Sequence, residues 1–384
     1  MSRVQSDRVI QLLSDLIALR TVNPMGRPYS GTSPVERPVI EYLERLFAPY
    51  SVAMVRQTSS PIHESLLITV PGRDSLAGCL FESHIDTVPA DDWADRAFSP
   101  RIDAGKIYGR GACDDKGSLA AMVLALLQIL ESKEPPPQTI WLLAAGDEEH
   151  AQTGIRHFMA NQHIPISRAI IGEPTGCIPV IQQKGVIRWD ITVQGRSAHT
   201  SQAEQGNNAI LSMLRVIQEL TEHEEELRRR YTSPLMTGPS LTVTMIQGGR
   251  TRNMVPDECT VAVDFRILPQ MDRQQAIADV RQRLSQLEIS LSHSDFQVNV
   301  PGIQTSPDAP LVQSAVQICS SILGRNVQPA GVPYGSDACY LPAATPTIVL
   351  GPGSIDQAHA VDEYVELEQV MAATEVYLRL MRGE

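Results

Sequence analysis

Short apolar runs alternate with helical periodicity through the first part of the chain. The runs LLITV, GCLFES, TIWLLAA and RAIIG predict strands over 66–70, 78–83, 139–145 and 168–172. Helices are predicted over 5–19 and 34–48, and a third, over 119–131, is apolar on nearly every side. Because a helix that is apolar all round must be buried, this third helix is expected to pack against a sheet. Strands that alternate with helices are typical of an α/β layer built largely on parallel pairing.

The middle of the chain follows a different pattern, in which apolar and polar positions alternate with a period of two. Three such segments and two helical stretches are found there: 187–195, 241–249, 259–268, 206–229 and 272–287. This alternation is typical of a sheet with one solvent-facing side, and it predicts a smaller α+β unit. The earlier pattern then resumes with a strand over 346–351 and a helix over 363–381. We therefore predict one α/β domain over 1–185 and 300–384, interrupted by a second domain over 186–299.

Length, charge and cysteine content limit the class of protein. A chain of 384 residues exceeds what one ordinary core supports, which agrees with two domains. The net charge of −12 leaves no basic excess to displace counterions, so we expect no nucleic-acid partner. The amino terminus interleaves charged and apolar residues, and no run is long enough to cross a bilayer. We therefore expect no membrane partner, and six scattered cysteines without a CxxC pair favour a cytoplasmic protein.

Acidic and histidine side chains accompany the predicted strands of the α/β domain. Seven of them stand just past a strand end or just before the buried helix: His84, Asp86, Asp114, Glu148, Glu149, Glu173 and His359. Ligands bind at the carboxyl ends of the strands in open parallel sheets, so these loops are expected to converge. Imidazole and carboxylate groups are the usual donors to zinc. The spacing alone leaves two interpretations open, a metal site and a set of ordinary turns and solvated positions.

Two neighbouring pairs indicate distinct roles within such a site. Asp86 lies two residues beyond His84 and can reach the second ring nitrogen, which would fix the tautomer. Adjacent Glu148 and Glu149 point in different directions, so one can bind metal while the other acts as base on the reacting water. The segment GRGACDDKGS around Asp114 matches neither the dinucleotide fingerprint nor the phosphate loop, so it gives no sign of a nucleotide site.

Taken in order, the segments HIDTVP, YGRGACDDKGS, GDEE, IGEPT and QAH resemble the metal motifs of the M20 metallopeptidase family. Within the family they are most similar to the branch of acetylornithine deacetylase and succinyl-diaminopimelate desuccinylase. The resemblance extends over residues 5–381. It implies a zinc-exopeptidase-like catalytic domain, with a mostly parallel sheet between helices, and an inserted α+β lid and dimerisation domain. A homodimer formed through the lid domain is therefore expected.

The resemblance also implies a set of metal ligands. His84 and Glu173 would hold one Zn2+, and Glu149 and His359 would hold a second. Asp114 would bridge the two ions. Co2+ or Mn2+ could take the place of zinc in such a site.

Other residues have catalytic or substrate-binding roles by the same resemblance. Glu148 would be the general base, and Asp86 would orient His84. His199 of the lid would polarise the scissile carbonyl, in a subunit that the resemblance leaves open. The implied substrate-binding residues are Asn253, Arg266, Gly335 and Ser336.

One motif departs from the family pattern. The usual DMKG is DDKG here, so Asp115 stands in place of a common methionine. By alignment Asp114 keeps the bridging position, and Asp115 is expected to point away from the metals. The resemblance also implies a cis peptide bond between the two aspartates.

These features predict a di-zinc hydrolase that cleaves the amide bond of a small N-acyl amino acid through a metal-bound hydroxide, with Glu148 as the base. Glu173 disfavours the aminopeptidase branch, which has Asp at this position. Three alternatives remain open: a carboxypeptidase or dipeptidase of the same family, a one-zinc or structural-metal protein, and a non-catalytic protein that binds an amino-acid-like ligand. The sequence leaves the acyl group, the amino acid and the metal used in the cell open.

Overall fold

The computed structural model describes residues 3–161 and 165–384. Its α-helices are α1 (Arg3–Ala18), α2 (Arg37–Phe47), α3 (Ala94–Ala97), α4 (Lys116–Ser132), α5 (Thr153–Asn161), α6 (Ala209–Arg230), α7 (Arg273–Ser285), α8 (Pro310–Leu323) and α9 (Leu367–Met381). Its strands are β1 (Ala53–Ser60), β2 (His63–Val70), β3 (Asp74–His84), β4 (Arg101–Asp103), β5 (Lys106–Tyr108), β6 (Gln138–Ala145), β7 (Ile166–Ile171), β8 (Val180–Gln183), β9 (Gly185–Gln194), β10 (Ser240–Gly248), β11 (Glu258–Ile267), β12 (Leu291–His293), β13 (Val298–Val300), β14 (Ile303–Gln304), β15 (Ala330–Val332), β16 (Thr347–Val349) and β17 (Tyr364–Glu366). Short 3-10 helices lie at Asp91–Trp93, Thr200–Gln205, Asp337–Tyr340 and Ile355–Gln357. Within these described ranges, none of the helices combines the length and the apolar character needed to cross a bilayer.

The chain folds into two compact units. The first unit comprises Met1–Ile181, Thr305–Ala330 and Ser336–Glu384, and the second comprises Gln182–Gln304 and Gly331–Gly335. The main segment of the second unit therefore extends a few residues beyond each end of the predicted domain over 186–299. A short later segment, Gly331–Gly335, also belongs to the second unit. That the second unit acts as a lid and dimerisation domain stays a prediction.

The first unit is built on a sheet that contains strands in the order β1-β2-β6-β3-β7-β16. Strands β6, β3, β7 and β16 pair in parallel, whereas β1 and β2 add antiparallel pairs at one edge. Helix α4 packs against β3, β6 and the helices α1 and α9, and most of its side chains are buried. These features confirm the predicted α/β class and the burial of the apolar helix.

The second unit is an antiparallel sheet in the order β10-β11-β9-β12, with β13 also paired to β9. Helices α6 and α7 supply apolar side chains to the same core as the strands. Along β11 fully buried residues alternate with less buried ones, because one sheet face packs on the helices. The period-two pattern of the sequence therefore gave the correct α+β class for this unit.

The start of the last helix differs from the prediction. The sequence predicts a helix over 363–381, but α9 begins at Leu367, and Tyr364–Glu366 forms β17 against β5. The ring of Tyr364 packs on that of Tyr108, with ring centroids 5.3 Å apart. This cross-strand aromatic contact favours the extended backbone, and helical periodicity in the sequence does not report it.

The carboxyl ends of the parallel strands lie side by side at one edge of the first unit. His84 at the end of β3 pairs with Ala145 at the end of β6, and Glu82 pairs with Ile171 at the end of β7. Leu350, just past β16, donates its N–H to the carbonyl oxygen of Ile171 at 2.8 Å. The loops that follow these four strands therefore begin at the same edge.

Candidate metal centre

One buried carboxylate, that of Asp114, lies between two imidazoles. Its Oδ1 is 2.9 Å from Nε2 of His84, and its Oδ2 is 3.3 Å from Nε2 of His359. Nε2 of His359 also lies 3.1 Å from Oε2 of Glu149. A carboxylate that presents a separate oxygen to each imidazole has the arrangement that a ligand bridging two metal ions needs.

Two groups of side chains could each hold a metal ion. The ligand atoms of His84, Asp114 and Glu149 all lie within 4.8 Å of one another, and so do those of His84, Glu148 and Glu173. Because His84 belongs to both groups, they form one continuous cluster. The grouping differs from the ligand sets that the resemblance implies, in which Asp114 and Glu173 share an ion and Glu148 is the base. The role of each residue within the cluster therefore stays a prediction.

The cluster concentrates negative charge away from solvent. Desolvation raises the pKa of Glu148 and of Glu173 well above the usual range, and neighbouring carboxylates add to the rise. Desolvation also acts on Asp114, but hydrogen bonds from His359 and His84 outweigh it and hold the pKa of Asp114 below its usual range. Divalent cations would offset the repulsion, and imidazole and carboxylate are donors that zinc accepts. The residues therefore fit a dinuclear centre.

Asp86 links the His84 ring to the turn that carries Glu148 and Glu149. Nδ1 of His84 lies 3.0 Å from the backbone oxygen of Asp86, whereas Oδ1 of Asp86 is farther from it, at 3.7 Å. The carboxylate accepts the backbone N–H groups of Glu148 and Glu149, at 3.0 and 3.2 Å. Asp86 therefore contacts the ring through its carbonyl group and the turn through its side chain.

Glu363 is a site residue that the sequence motifs do not point to. Its carboxylate accepts three backbone N–H groups of the 111–114 segment, among them that of Asp114 at 3.0 Å. Arg110 donates to the same carboxylate at 2.6 Å. Because Glu363 follows His359 by four residues, it links the segment that carries Asp114 to the one that carries the second histidine. Its place in the HAVDE stretch is the signal that could have found it.

Asp115 and Gln152 border the cluster. The peptide bond between Asp114 and Asp115 is cis, which confirms the prediction. Oδ2 of Asp115 accepts a hydrogen bond from Ser83 at 2.6 Å, and Asp115 belongs to neither group of possible metal ligands.

Gln152 donates from Nε2 to Oε1 of Glu148 at 3.0 Å. Its position four residues after Glu148 is the only sequence signal for this contact.

His199 and Asn253 are neighbours within the second unit. Both side chains are exposed. Nδ1 of His199 accepts the N–H of Ser201 at 3.2 Å, and the carbonyl oxygen of Asn253 accepts the N–H of Thr200 at 3.0 Å. The structure therefore brings these two residues together, and their roles towards substrate stay predictions.

The remaining substrate-binding candidates lie in different surroundings. Arg266, on β11, donates from Nε to Oδ1 of Asp264 at 2.6 Å, and its side chain is partly exposed. Gly335 belongs to the second unit and Ser336 to the first. Ser336 is fully buried, and its Oγ accepts the N–H of Ala338 at the start of a 3-10 helix. Contact of these residues with substrate stays a prediction.

The strand-end loops of a mostly parallel sheet bring histidines and carboxylates together around Asp114. This site and the following relatives define a metal-dependent amidohydrolase. The family model of peptidase family M20/M25/M40 matches residues 80–383. The chain belongs to that family. A curated relative, acetylornithine deacetylase of Proteus mirabilis, is 33% identical over 318 residues, which cover 80% of this chain and 79% of the relative.

Solved structures of other proteins have the same fold. Aminopeptidase PepT from Bacillus cereus superposes with a TM-score of 0.78 at 19% identity, and the match covers 99% of both chains. The YXEP protein of Bacillus subtilis, a dinuclear metal-binding peptidase of the M20 family, has a TM-score of 0.74 at 14% identity. That match covers 99% of this chain and 98% of the YXEP protein. At these identities the likeness shows the fold alone.

Proposed function

We propose that this chain is a dinuclear zinc amidohydrolase that releases the acyl group from a small N-acyl amino acid, with N-acetyl amino acids as its first substrate class. The observation that carries the proposal is Asp114, whose two oxygens face His84 and His359 separately. Relatives named acetylornithine deacetylase, 33% identical over most of the chain, support the substrate class.

The metal ligands follow the family pattern. His84 and Glu173 would hold one zinc ion, Glu149 and His359 would hold the other, and Asp114 would bridge them. Co2+ or Mn2+ could take the same positions, because imidazole and carboxylate donors also suit those ions. When bound, two such ions supply Lewis acidity, which polarises the acyl carbonyl and lowers the pKa of water towards about 7.

Glu148 would move the protons of the reaction. It would take a proton from the attacking water and return one to the leaving amine. Gln152 would hold the Glu148 carboxylate through the 3.0 Å hydrogen bond to Oε1. Asp86 would keep the backbone of Glu148 in place through the N–H that it accepts at 3.0 Å. The chain's own contribution to the chemistry is thus a base held from two sides.

The substrate-side roles are proposed from the resemblance. His199 would polarise the scissile carbonyl, and the residues that bind substrate would be Asn253, Arg266, Gly335 and Ser336. Arg266 offers the clearest support, because Asp264 holds its guanidinium through Nε at 2.6 Å while the side chain stays partly exposed. A guanidinium fixed in this way suits a free carboxylate on the amino-acid part of the substrate.

We also propose a homodimer formed through the second unit. Strand β10 lies at the edge of its sheet, and Met245 and Ile246 on this strand are 72% and 56% exposed. Helix α6 contacts β10, and its Leu211 and Leu214 are exposed as well. An edge strand beside exposed apolar side chains favours pairing with a second copy of the chain.

The cysteines bear on the cellular compartment. All six are free and buried. Reduced thiols are typical of the cytoplasm, so we propose a cytoplasmic enzyme.

A panel of N-acetyl, N-succinyl and dipeptide substrates tests the proposed function on zinc-loaded and cobalt-loaded protein. We expect N-acetyl amino acids to give the highest kcat/KM and elemental analysis to give two ions per chain. Turnover confined to dipeptides would favour the carboxypeptidase or dipeptidase alternative. One ion per chain would contradict the dinuclear centre, and ligand binding without turnover would favour a non-catalytic protein.

A further inference from the structure

The turn that carries Glu148 and Glu149 begins at Asp147, whose backbone is left-handed. Its φ is +63°, a conformation that is unfavourable for a residue with a Cβ atom. The carbonyl oxygen of Asp147 accepts the N–H of Gln152 at 2.6 Å, and its Oδ2 accepts the hydroxyl of Thr153 at 2.7 Å. The contacts of Asp147 therefore decide the conformation of this turn.

Asn23 joins Asp147 to Asp86. Its Nδ2 donates to Oδ2 of Asp86 at 2.8 Å and to Oδ1 of Asp147 at 2.9 Å. Its own Oδ1 accepts the N–H of Met25 at 2.8 Å, which fixes the amide with its nitrogen towards the two acids. Both amide hydrogens are thus used on two buried carboxylates that hold the turn.

His63 lies on the other side of Asp147, between two carboxylates. Its Nδ1 is 2.7 Å from Oε1 of Glu36, and its Nε2 is 3.4 Å from Oδ1 of Asp147. The second oxygen of Glu36 accepts the N–H of Glu64 at 3.0 Å, so Glu36 is itself held in place. The contact with Glu36 has hydrogen-bond geometry, whereas the contact with Asp147 is a longer ion-pair contact. His63 and the side chain of Asn23 therefore converge on the same oxygen of Asp147.

We infer that His63 and Glu36 are positioning residues of this enzyme: they hold Asp147 and, through it, the turn that aims Glu148 and Glu149. The inference rests on the proposed function for the reaction that it serves. Among the described residues, neither His63 nor Glu36 belongs to a group that could hold a metal ion, so both act through Asp147.

Stability alone does not account for this arrangement. The side chains of Glu36, Asp86 and Asp147 are almost completely buried, so several carboxylates are brought together around one ring and one amide. A buried ion pair is often replaced by apolar side chains of similar volume without loss of stability. What an apolar replacement of His63 cannot supply is a polar contact with a carboxylate on each side, at 2.7 Å to Glu36 and 3.4 Å to Asp147.

Replacement of His63 tests the inference on the full-length, cobalt-loaded protein. His63→Leu removes both ring nitrogens, and His63→Gln keeps a polar side chain at the position. The measurements are kcat, KM, the affinity for Co2+ by chelator competition, and the visible absorption of bound Co2+. Replacing a residue that orients metal-site groups changes activity or metal affinity by on the order of 10- to 100-fold. We expect His63→Leu to lower kcat by that factor, with KM nearly unchanged and the Co2+ absorption altered, and His63→Gln to lose less.

A matched control comes from the second unit. His223 is as buried as His63, since each is 5% exposed, and it has no part in the proposed site. His223→Leu should leave kcat and the Co2+ absorption as in the wild type. A folded His63→Leu protein with wild-type kcat and wild-type Co2+ absorption would overturn the inference.

A second variant covers the case in which His63→Leu does not fold. Glu36→Gln removes the charge opposite Nδ1 at nearly constant volume, and the same two outcomes apply to it. Failure of the proposed function has a different signature, namely a wild-type protein without turnover on any acyl substrate. The affinity for Co2+ and its absorption would still decide whether His63 and Glu36 hold the turn.

Discussion

The two units bury polar side chains very differently. Among the described residues of the first unit, ten carboxylate residues are buried: Glu36, Glu64, Glu82, Asp86, Asp114, Asp115, Asp147, Glu173, Asp337 and Glu363. In the described residues of the second unit, the buried polar residues are Gln183, Lys184 and His223, none of them acidic. Its core is otherwise an apolar packing of sheet and helices. Among the described residues, buried carboxylates are therefore confined to the first unit.

This difference indicates where the chemistry lies. A buried carboxylate is unfavourable unless it is paired, hydrogen-bonded or bound to a metal. Glu363 is paired with Arg110 and Glu36 with His63, so for these two acids the protein itself supplies the partner. Among the described residues, the ion pairs of Asp114 and Glu149 are with imidazoles alone, and divalent cations would complete the environment of this cluster. A core in which carboxylates crowd around two imidazoles therefore indicates where the chemistry lies.

The largest expected effect comes from variants that distinguish the roles of Glu148 and Glu149, the two adjacent acids of the metal centre. Glu148→Gln removes the base, so we expect kcat to fall by about 100- to 10,000-fold while metal content stays near that of the wild type. Glu149→Gln is the matched control, because it should lose metal as well as turnover. Elemental analysis and steady-state kinetics of both variants check this. Loss of metal from Glu148→Gln would show that Glu148 is a ligand, in line with its grouping with His84 and Glu173.

Much of the centre was predictable from strand ends. His84 ends a parallel strand, Glu148 and Glu173 each follow one, and adjacent parallel strands end at one edge of the sheet. Their convergence therefore needs only the alternation of strands and helices and the position of each acid. The apolar helix α4 was equally accessible, because an apolar surface on every side requires burial.

The residues that hold the centre in place were not predictable in the same way. Glu363 contacts the backbone of Asp114 across 249 positions of sequence, and Asn23 reaches Asp147 across 124. No periodicity links such pairs, because the contacts depend on how distant loops pack. His63 shows the same limit, since a single histidine at the start of a strand has no sequence feature that pairs it with Glu36.

A smaller effect is expected from the replacement of Arg266, the residue of the second unit that is proposed to bind the substrate carboxylate. Arg266→Ala removes a charge-assisted contact, and we expect KM to rise about 10- to 100-fold for substrates with a free carboxylate. Esterified substrates should show little change. Arg188→Ala is the control, because Arg188 also pairs with Asp264, at 2.6 Å, without a proposed substrate role. A similar rise in KM for both variants, or for the ester, would mean that Arg266 acts only through Asp264.

The smallest effect concerns His223, the buried imidazole of the second unit. Neither ring nitrogen has a hydrogen-bond partner among the described residues. Burial, followed by the charge of Arg283, lowers its pKa, against the weaker opposing effect of Asp279 and two glutamates nearby. The unfolded chain takes up a proton near pH 6.5, whereas the folded chain does so only at lower pH. Stability is therefore lost as pH falls below about 6.5 towards the folded pKa.

His223→Leu should remove this loss of stability at low pH, because leucine has a similar volume and does not take up a proton. We expect the Tm of the variant to match or exceed that of the wild type at pH 8, and its advantage to grow by a few degrees between pH 7 and pH 5. His293 provides the contrast, because its Nδ1 accepts a hydrogen bond from Nε1 of Trp189 at 3.0 Å. His293→Leu would leave that indole nitrogen without its partner, so its Tm should fall at both pH values. A Tm of His223→Leu below that of the wild type at both pH values would contradict the prediction, because it would show that the buried ring of His223 stabilises the second unit.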